Sequence, residues 1–254
     1  MRKINALQAA KTDIWLAAVL LTRLPLPHLP RTAFDNSTRA VWAYPLVGAV
    51  VGLASALAGQ AALLMGLPAT AAAAISLGCM MLLTGAMHED GLADLFDGFW
   101  GATTPERRLQ IMRDSQIGTY GTLALVMVTV LRWSALTVLL PHGITVIIVA
   151  SALSRAMMAP LMSFLPYARR DGLAHSVGRP SASMAFGTLA VGTGIGVLAT
   201  GGFAILGLAS VIVVAAVIAG IARRKIKGHT GDVLGAVQQL TETAVLLTGT
   251  ALIL

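Results

Sequence analysis

The sequence predicts an all-α fold: a polytopic transmembrane bundle of about seven spanning helices after an N-terminal interfacial or re-entrant helix. It reads as a single integral membrane domain over residues 1–254. Three observations carry this. Only 11% of the residues are charged and 56% are hydrophobic, against roughly 25% charged in soluble domains. Apolar runs of bilayer-crossing length recur along the chain. The basic residues keep to alternate joints between those runs.

In chain order, Arg2 and Lys3 precede a short apolar stretch, Ile14 to Leu21. That pattern imitates a signal peptide, but Thr22-Arg23-Leu24-Pro25 offers no small-residue cleavage site. The stretch is also too short to span, so an interfacial or re-entrant helix that stays on the mature protein is expected. Longer runs follow at 41–66, 69–90, 119–140, 142–165, 182–200, 203–222 and 230–254. Only helices and closed barrels satisfy their backbone in lipid, and continuous rather than alternating apolarity selects helices.

Three joints are short and uncharged: Leu67-Pro68, Pro141-His142-Gly143 and Gly201-Gly202. The others hold Arg107, Arg108 and Arg113; Arg169, Arg170 and Arg179; and Arg223, Arg224, Lys225 and Lys227. The N-terminal segment adds Arg2, Lys3, Lys11, Arg23, Arg31 and Arg39. With seven spans these four segments fall on one side, which the positive-inside rule makes the cytoplasm, with the C-terminus outside. The net charge of +7 therefore needs no nucleic acid partner. The only cysteine, Cys79, excludes an intramolecular disulfide and is expected to pack. Gly48 with Gly52, Gly192 with Gly196, and Gly231 with Gly235 have helix-packing spacing. Packing within the bundle is expected ahead of a homo-oligomer interface.

The rare acids gather in His88-Glu89-Asp90-Gly91-Leu92-Ala93-Asp94-Leu95-Phe96-Asp97. At about 100° per residue, Asp90, Asp94 and Asp97 cover an arc of about 60° on a helix. Such a stripe repels itself, and a divalent cation relieves it. Oxygen ligands without a Cys/His set favour Mg²⁺ over Zn²⁺. Glycines 91 and 98 would let a ligand approach the backbone. The plain alternative is a solvated helix end. Arg113-Asp114-Ser115-Gln116 lies in a second polar stretch, Ile111 to Gly121, which would hold a phosphate or help bind metal. A third, Gly228 to Ala236, opens a helix with Thr230 or Asp232 as N-cap, and helix N-termini bind anions. Arg132 and Arg155 lie inside spans, where ionisable groups face the interior. Arg155 is a candidate for phosphate binding. His88 and His229 flank the acids as supporting hydrogen-bond donors, general bases or structural histidines. Glu242 is expected to face other polar groups.

These residues suit metal-assisted chemistry on an anionic, phosphorylated substrate. At the same residues the chain resembles the cobalamin synthase family, the adenosylcobinamide-GDP ribazoletransferases. The likeness begins at Leu21 to Pro25 and Tyr44 to Gly48. It is most specific at His88 to Asp94 with Asp97, and continues through Ile111 to Gly121, Ala152 to Arg155 and Thr230 to Ala236.

The resemblance implies transfer of cobinamide phosphate from adenosylcobinamide-GDP to α-ribazole or its 5′-phosphate. The products are adenosylcobalamin, or its phosphate, and GMP. It also implies Mg²⁺ dependence, the cytoplasmic (inner) membrane and a cytoplasm-facing site. On that reading the ribazole 5′-hydroxyl attacks phosphorus. Metal falls to Glu89, Asp90, Asp94, Asp97, Asp114 and Asp232, and catalysis to Asp90, Asp94 and Asp97. Substrate binding falls to Arg113, Arg155, His88, His229 and Thr230. Partners would be the two substrates, lipid, and other cobalamin-pathway enzymes, with a homo-oligomer open.

The acidic stretch is also similar to that of CDP-alcohol phosphotransferases, but its spacing differs and no arginine follows Ala93. A transporter for an anionic substrate is the rival of another class. Transporters bind near the midplane, whereas these carboxylates cluster at one face.

Overall fold

The computed structural model describes residues 6–253; Arg2 and Lys3 of the expected basic segment lie outside them. The described chain forms α1 (Ala6–Leu21), a 3-10 segment (Arg31–Ala43), α2 (Tyr44–Leu64), α3 (Ala69–Thr84), α4 (Met87–Gly101) and α5 (Pro105–Ile111). It continues through α6 (Thr119–Leu139), α7 (Thr145–Ala156), α8 (Met158–Phe164), α9 (Leu173–Val177), α10 (Ala182–Thr200), α11 (Phe203–Lys225) and α12 (Gly231–Ala251). No strand occurs among the described residues, only an isolated bridge between Tyr167 and His229. The all-α polytopic architecture is as the sequence predicts.

Five helical segments are long and apolar enough to cross a membrane, and a sixth is counted if α3 and α4 form one bent span. Outward-facing Val50 and Leu57 of α2, Leu123 and Met127 of α6, Leu198 of α10, and Val213 and Val217 of α11 are exposed. An apolar surface of that extent suits lipid rather than water. The seventh expected span is α12. Its 21 residues reach about 31 Å, enough for a bilayer. It falls outside the apolar set because Gln238, Gln239 and Glu242 occupy its middle. Those residues are tolerated because α4, α6, α7 and α11 enclose α12 and keep lipid away from it.

The expected run at 69–90 is broken. Gly85 and Ala86 both take left-handed backbone, with φ of 64° and 54°. The axis turns by 89° between α3 and α4. α3 has 16 residues and reaches only about 24 Å, short of a full crossing. The acidic motif therefore starts a new helix that runs sideways over α12 and α6.

The expected grouping of basic joints is reproduced in space. Arg108 Nη1 donates to the Lys225 carbonyl at 3.0 Å, Arg113 pairs with Asp171, and the Arg23 side chain lies against Gly85. At the other end, Gly249 of α12 lies near Val146, Leu139 and Phe203, beside the short joints. The paired glycines pack as expected in most cases. A Cβ on Gly52 would come within 3.0 Å of the Ile147 carbonyl of α7, and one on Gly196 within 2.9 Å of Ala204. Gly231 is the exception and meets nothing within 4 Å.

Candidate active site

Two hollows meet at α4, and Asp90 lines both. The wider cleft, about 510 Å³, is bounded by Asp90 and Asp94 of α4 and by Arg113, Asp114, Ser115 and Gln116 of the loop after α5. The smaller chamber, about 210 Å³, lies between α4, the start of α12, α8 and the ends of α1 and α2.

Local sequence explains the frame. Thr230 caps α12, its hydroxyl accepting from Val233 N at 3.3 Å and donating to Asp232 Oδ2 at 3.0 Å. Gly91 and Gly235 let α4 and α12 touch: a Cβ on Gly91 would sit 3.0 Å from Asp232 Cα and 3.4 Å from Gly235 Cα. A Cβ on Gly98 would likewise come within 3.0 Å of the Arg108 carbonyl. These glycines serve helix packing, and Gly91, one of the two expected to let a ligand approach, also lines the chamber. The bridge at Tyr167 and His229 ties the loop after α8 to the turn before α12, through Ala168 N to the His229 carbonyl at 2.9 Å. That tie sets Arg169 against Asp232 at 3.4 Å.

The six expected metal ligands do not form one set. Among the described residues, no three His, Cys, Asp or Glu side chains stand together as a metal cluster. Glu89 also borders the wider cleft, but its Oε1 is engaged inside the bundle. It accepts from Arg132 Nη1 at 3.2 Å and from Gln239 Nε2 at 3.0 Å. Asp97 is taken up by backbone, accepting from Gly118 N at 2.7 Å and Gly121 N at 2.9 Å. A carboxylate so engaged is an anchor for the start of α6 rather than a free base. Asp232 is held by Arg169 and Thr230. Asp114 is exposed at the cleft rim and accepts from Gln116 N.

Asp90 and Asp94 remain, one turn apart and lining the cleft. The charges of Asp232, Asp90 and Asp97 all act on Asp94. Mg²⁺ commonly takes one or two carboxylates and completes its shell with water and substrate phosphates. The Asp90–Asp94 pair fits that need without a closed cage.

The expected substrate-binding residues divide. Arg113 lines the cleft and pairs with Asp171. His88 lines the chamber, 1% exposed, and neither ring nitrogen has a hydrogen-bond partner. Thr230 and His229 line neither hollow. His229 is buried, with Nδ1 3.1 Å from the Pro166 carbonyl, and burial holds its pKa below the ordinary 6.5. Arg155 lies in the bundle core on Glu242 and Ser151, outside both hollows, because an unpaired guanidinium there would be too costly. Arg169 was missed. It lines the chamber, and its Nη1 is buried without a partner. In the sequence it counts only as one more loop cation; Asp232, which it meets, is 63 residues away.

Fold and cleft together define a class: a multi-pass helical membrane protein with a carboxylate-lined cleft at one end of its bundle. Residues 13–250 match the family described as cobalamin-5-phosphate synthase. The adenosylcobinamide-GDP ribazoletransferase of Bradyrhizobium diazoefficiens is 43% identical over 242 residues, 94% of this chain and 93% of that protein. Proteins of the same name from Mesorhizobium japonicum and Brucella ovis are 38% and 40% identical over 92% and 89% of this chain, covering 91% and 92% of their own. No solved structure matches. The chain belongs to the cobalamin-5-phosphate synthase family.

Proposed function

We propose that this protein is an Mg²⁺-dependent adenosylcobinamide-GDP ribazoletransferase of the cytoplasmic membrane, with its cleft open to the cytoplasm. The observation that carries the mechanism is the Asp90–Asp94 pair lining a cleft with Arg113 on its opposite wall. The match over nearly the whole chain supports the substrates. The basic joints gathered at the cleft's end support the orientation.

The donor's pyrophosphate enters the cleft, where Arg113 offsets part of its charge. Asp90 and Asp94 would hold Mg²⁺, which supplies charge neutralisation on the phosphates. A ribose hydroxyl of the acceptor attacks the phosphorus attached to cobinamide. A new ribose O–P bond forms, the P–O bond to GMP breaks, and the hydroxyl proton passes to a carboxylate. Asp94 is the better placed base, through a carboxylate oxygen that would not be on the cation, since Asp97 already accepts from two amides.

The 5′-hydroxyl expected as nucleophile does not survive the balance. The family description names a product that keeps a 5-phosphate, so with the phosphorylated acceptor the 5′ oxygen is occupied and another ribose hydroxyl attacks.

The test is GMP release by the purified protein in vesicles. Adenosylcobinamide-GDP with α-ribazole, or its 5′-phosphate, is expected to give GMP and a cobalamin product. Release of CMP from a CDP-alcohol instead, or no nucleotide release at all, overturns the reading.

A further inference from the structure

The chamber beside Asp90 differs from the cleft in size and wall. Its volume, about 210 Å³, lies below the roughly 300–1,000 Å³ of pockets that enclose a drug-sized ligand. It therefore takes one compact part of a substrate and has no room for a nucleotide diphosphate with its corrinoid. Its walls are apolar: Leu21, Tyr44, Met158, Met162, Val177 and Leu234. Polar groups are few and border the same hollow: Asp90, shared with the cleft, with Asp232, Arg169 and His88.

Two of these point to a ligand. His88 is 1% exposed, yet both its ring nitrogens lack a partner, and Arg169 Nη1 is buried and also unpartnered. Buried polar atoms are costly unless bonded, and a wall that keeps them unbonded fits one that bonds them to something bound. An acyl tail from the bilayer would use the apolar wall but leave His88 and Arg169 unsatisfied. A flat heterocycle carrying a ribose uses both.

Resting on the transferase reading above, we infer that this chamber is the acceptor subsite. The heterocycle of the riboside lies among Met158, Met162 and Tyr44, its polar end meets His88 and Arg169, and a ribose hydroxyl faces Asp90. The donor occupies the wider cleft on the other side of Asp90, so this one helix separates the two substrates. Methionine is unbranched and polarisable and adapts to irregular shapes. The Met158–Met162 wall then sets how large a heterocycle is accepted.

The test uses the full-length protein in vesicles, with α-ribazole and adenosylcobinamide-GDP as probes. Met162→Trp, which fills the chamber, is expected to raise KM for α-ribazole by about tenfold or more, the scale on which apolar pockets discriminate. KM for adenosylcobinamide-GDP should stay put. Met162→Ala enlarges the chamber and should shift preference toward ribosides with bulkier bases at an unchanged donor KM. It serves if the tryptophan variant fails to fold. Direct titration of α-ribazole into the protein without donor reads the chamber independently of turnover.

Binding in the wild type that weakens in Met162→Trp supports the subsite even if no GMP is released, an outcome that would sink only the functional reading. If both KM values rise together, the donor's alone rises, or α-ribazole binds both proteins equally, the chamber is not the acceptor subsite.

Discussion

Arg132 Nη2 donates to Glu242 Oε1 at 2.9 Å, with both side chains 1% exposed in the middle of the bundle. The pair belongs to a larger set. Arg132 also reaches Glu89 of the acidic motif, and Arg155 reaches Glu242 Oε2 at 3.3 Å. Two guanidiniums and two carboxylates balance to zero where an isolated charge would be most costly. Removing one member leaves a buried charge unmatched. Glu242→Gln should therefore cost about 3–5 kcal/mol, read as the free energy of unfolding in mild detergent. Arg132→Gln with Glu242→Gln keeps the set neutral. It should cost less than the sum of the single changes by about 1 kcal/mol or more. Additive losses would show that the two groups are not coupled.

Asp97 anchors the start of α6 through the amides of Gly118 and Gly121. Hydrogen bonds to a charged group contribute about 1.5–3 kcal/mol each. Asp97→Asn keeps shape but replaces one acceptor oxygen with a donor facing an N–H. Amide exchange at residues 115–122 should speed up, and GMP release should fall as Arg113 and Asp114 lose their placement. Retained protection with lost activity would instead make Asp97 a direct participant.

The engagement of Glu89 by Arg132 and Gln239, which leaves Asp90 and Asp94 to the cleft, bears on the cation. Asp90→Asn and Asp94→Asn should each raise the Mg²⁺ concentration needed for half-maximal GMP release, and lower the maximum about a hundredfold or more. Their melting temperatures should hardly move. Glu89→Gln should do the reverse, lowering the melting temperature more than it changes the Mg²⁺ requirement. An equal Mg²⁺ shift for all three would return Glu89 to the metal.

Much of this was legible in the sequence. Apolar runs and clustered basic joints were enough for the bundle and for the end at which its site lies. The helical arc leaves Glu89, about 100° from Asp90, off the stripe, yet Glu89 was expected among the metal ligands. Two things were hidden. The break at Gly85-Ala86 leaves no apolar signature, because Ala86 in left-handed backbone is set by packing rather than propensity. The partners of Asp97, Arg155 and Arg169 lie 21, 87 and 63 residues away, and side-chain pairing at that separation has no sequence period to reveal it. Carboxylates that neutralise arginines or hold amides look, in one dimension, like carboxylates that hold metal.

His229 lies in the turn before α12, 1% exposed, with Nδ1 bonded to Pro166 and Nε2 unpartnered. Burial favours its neutral form and lowers its pKa from 6.5, outweighing the carbonyl's pull in the other direction. The unfolded chain keeps the ordinary value, so below about pH 6.5 it takes up a proton before the folded chain does. Stability therefore rises with pH through the window under 6.5 and is independent of this group above it. The melting temperature should fall as pH is lowered from 7 toward 5. In His229→Asn, whose amide nitrogen takes the place of Nδ1 and can still donate to Pro166, that fall should be shallower. The same variant should leave the pH dependence of GMP release near neutrality unchanged, because a neutral, buried His229 gives up no proton there. An unchanged slope of melting temperature with pH would remove His229 from the acid response, and a displaced activity profile would return it to the chemistry.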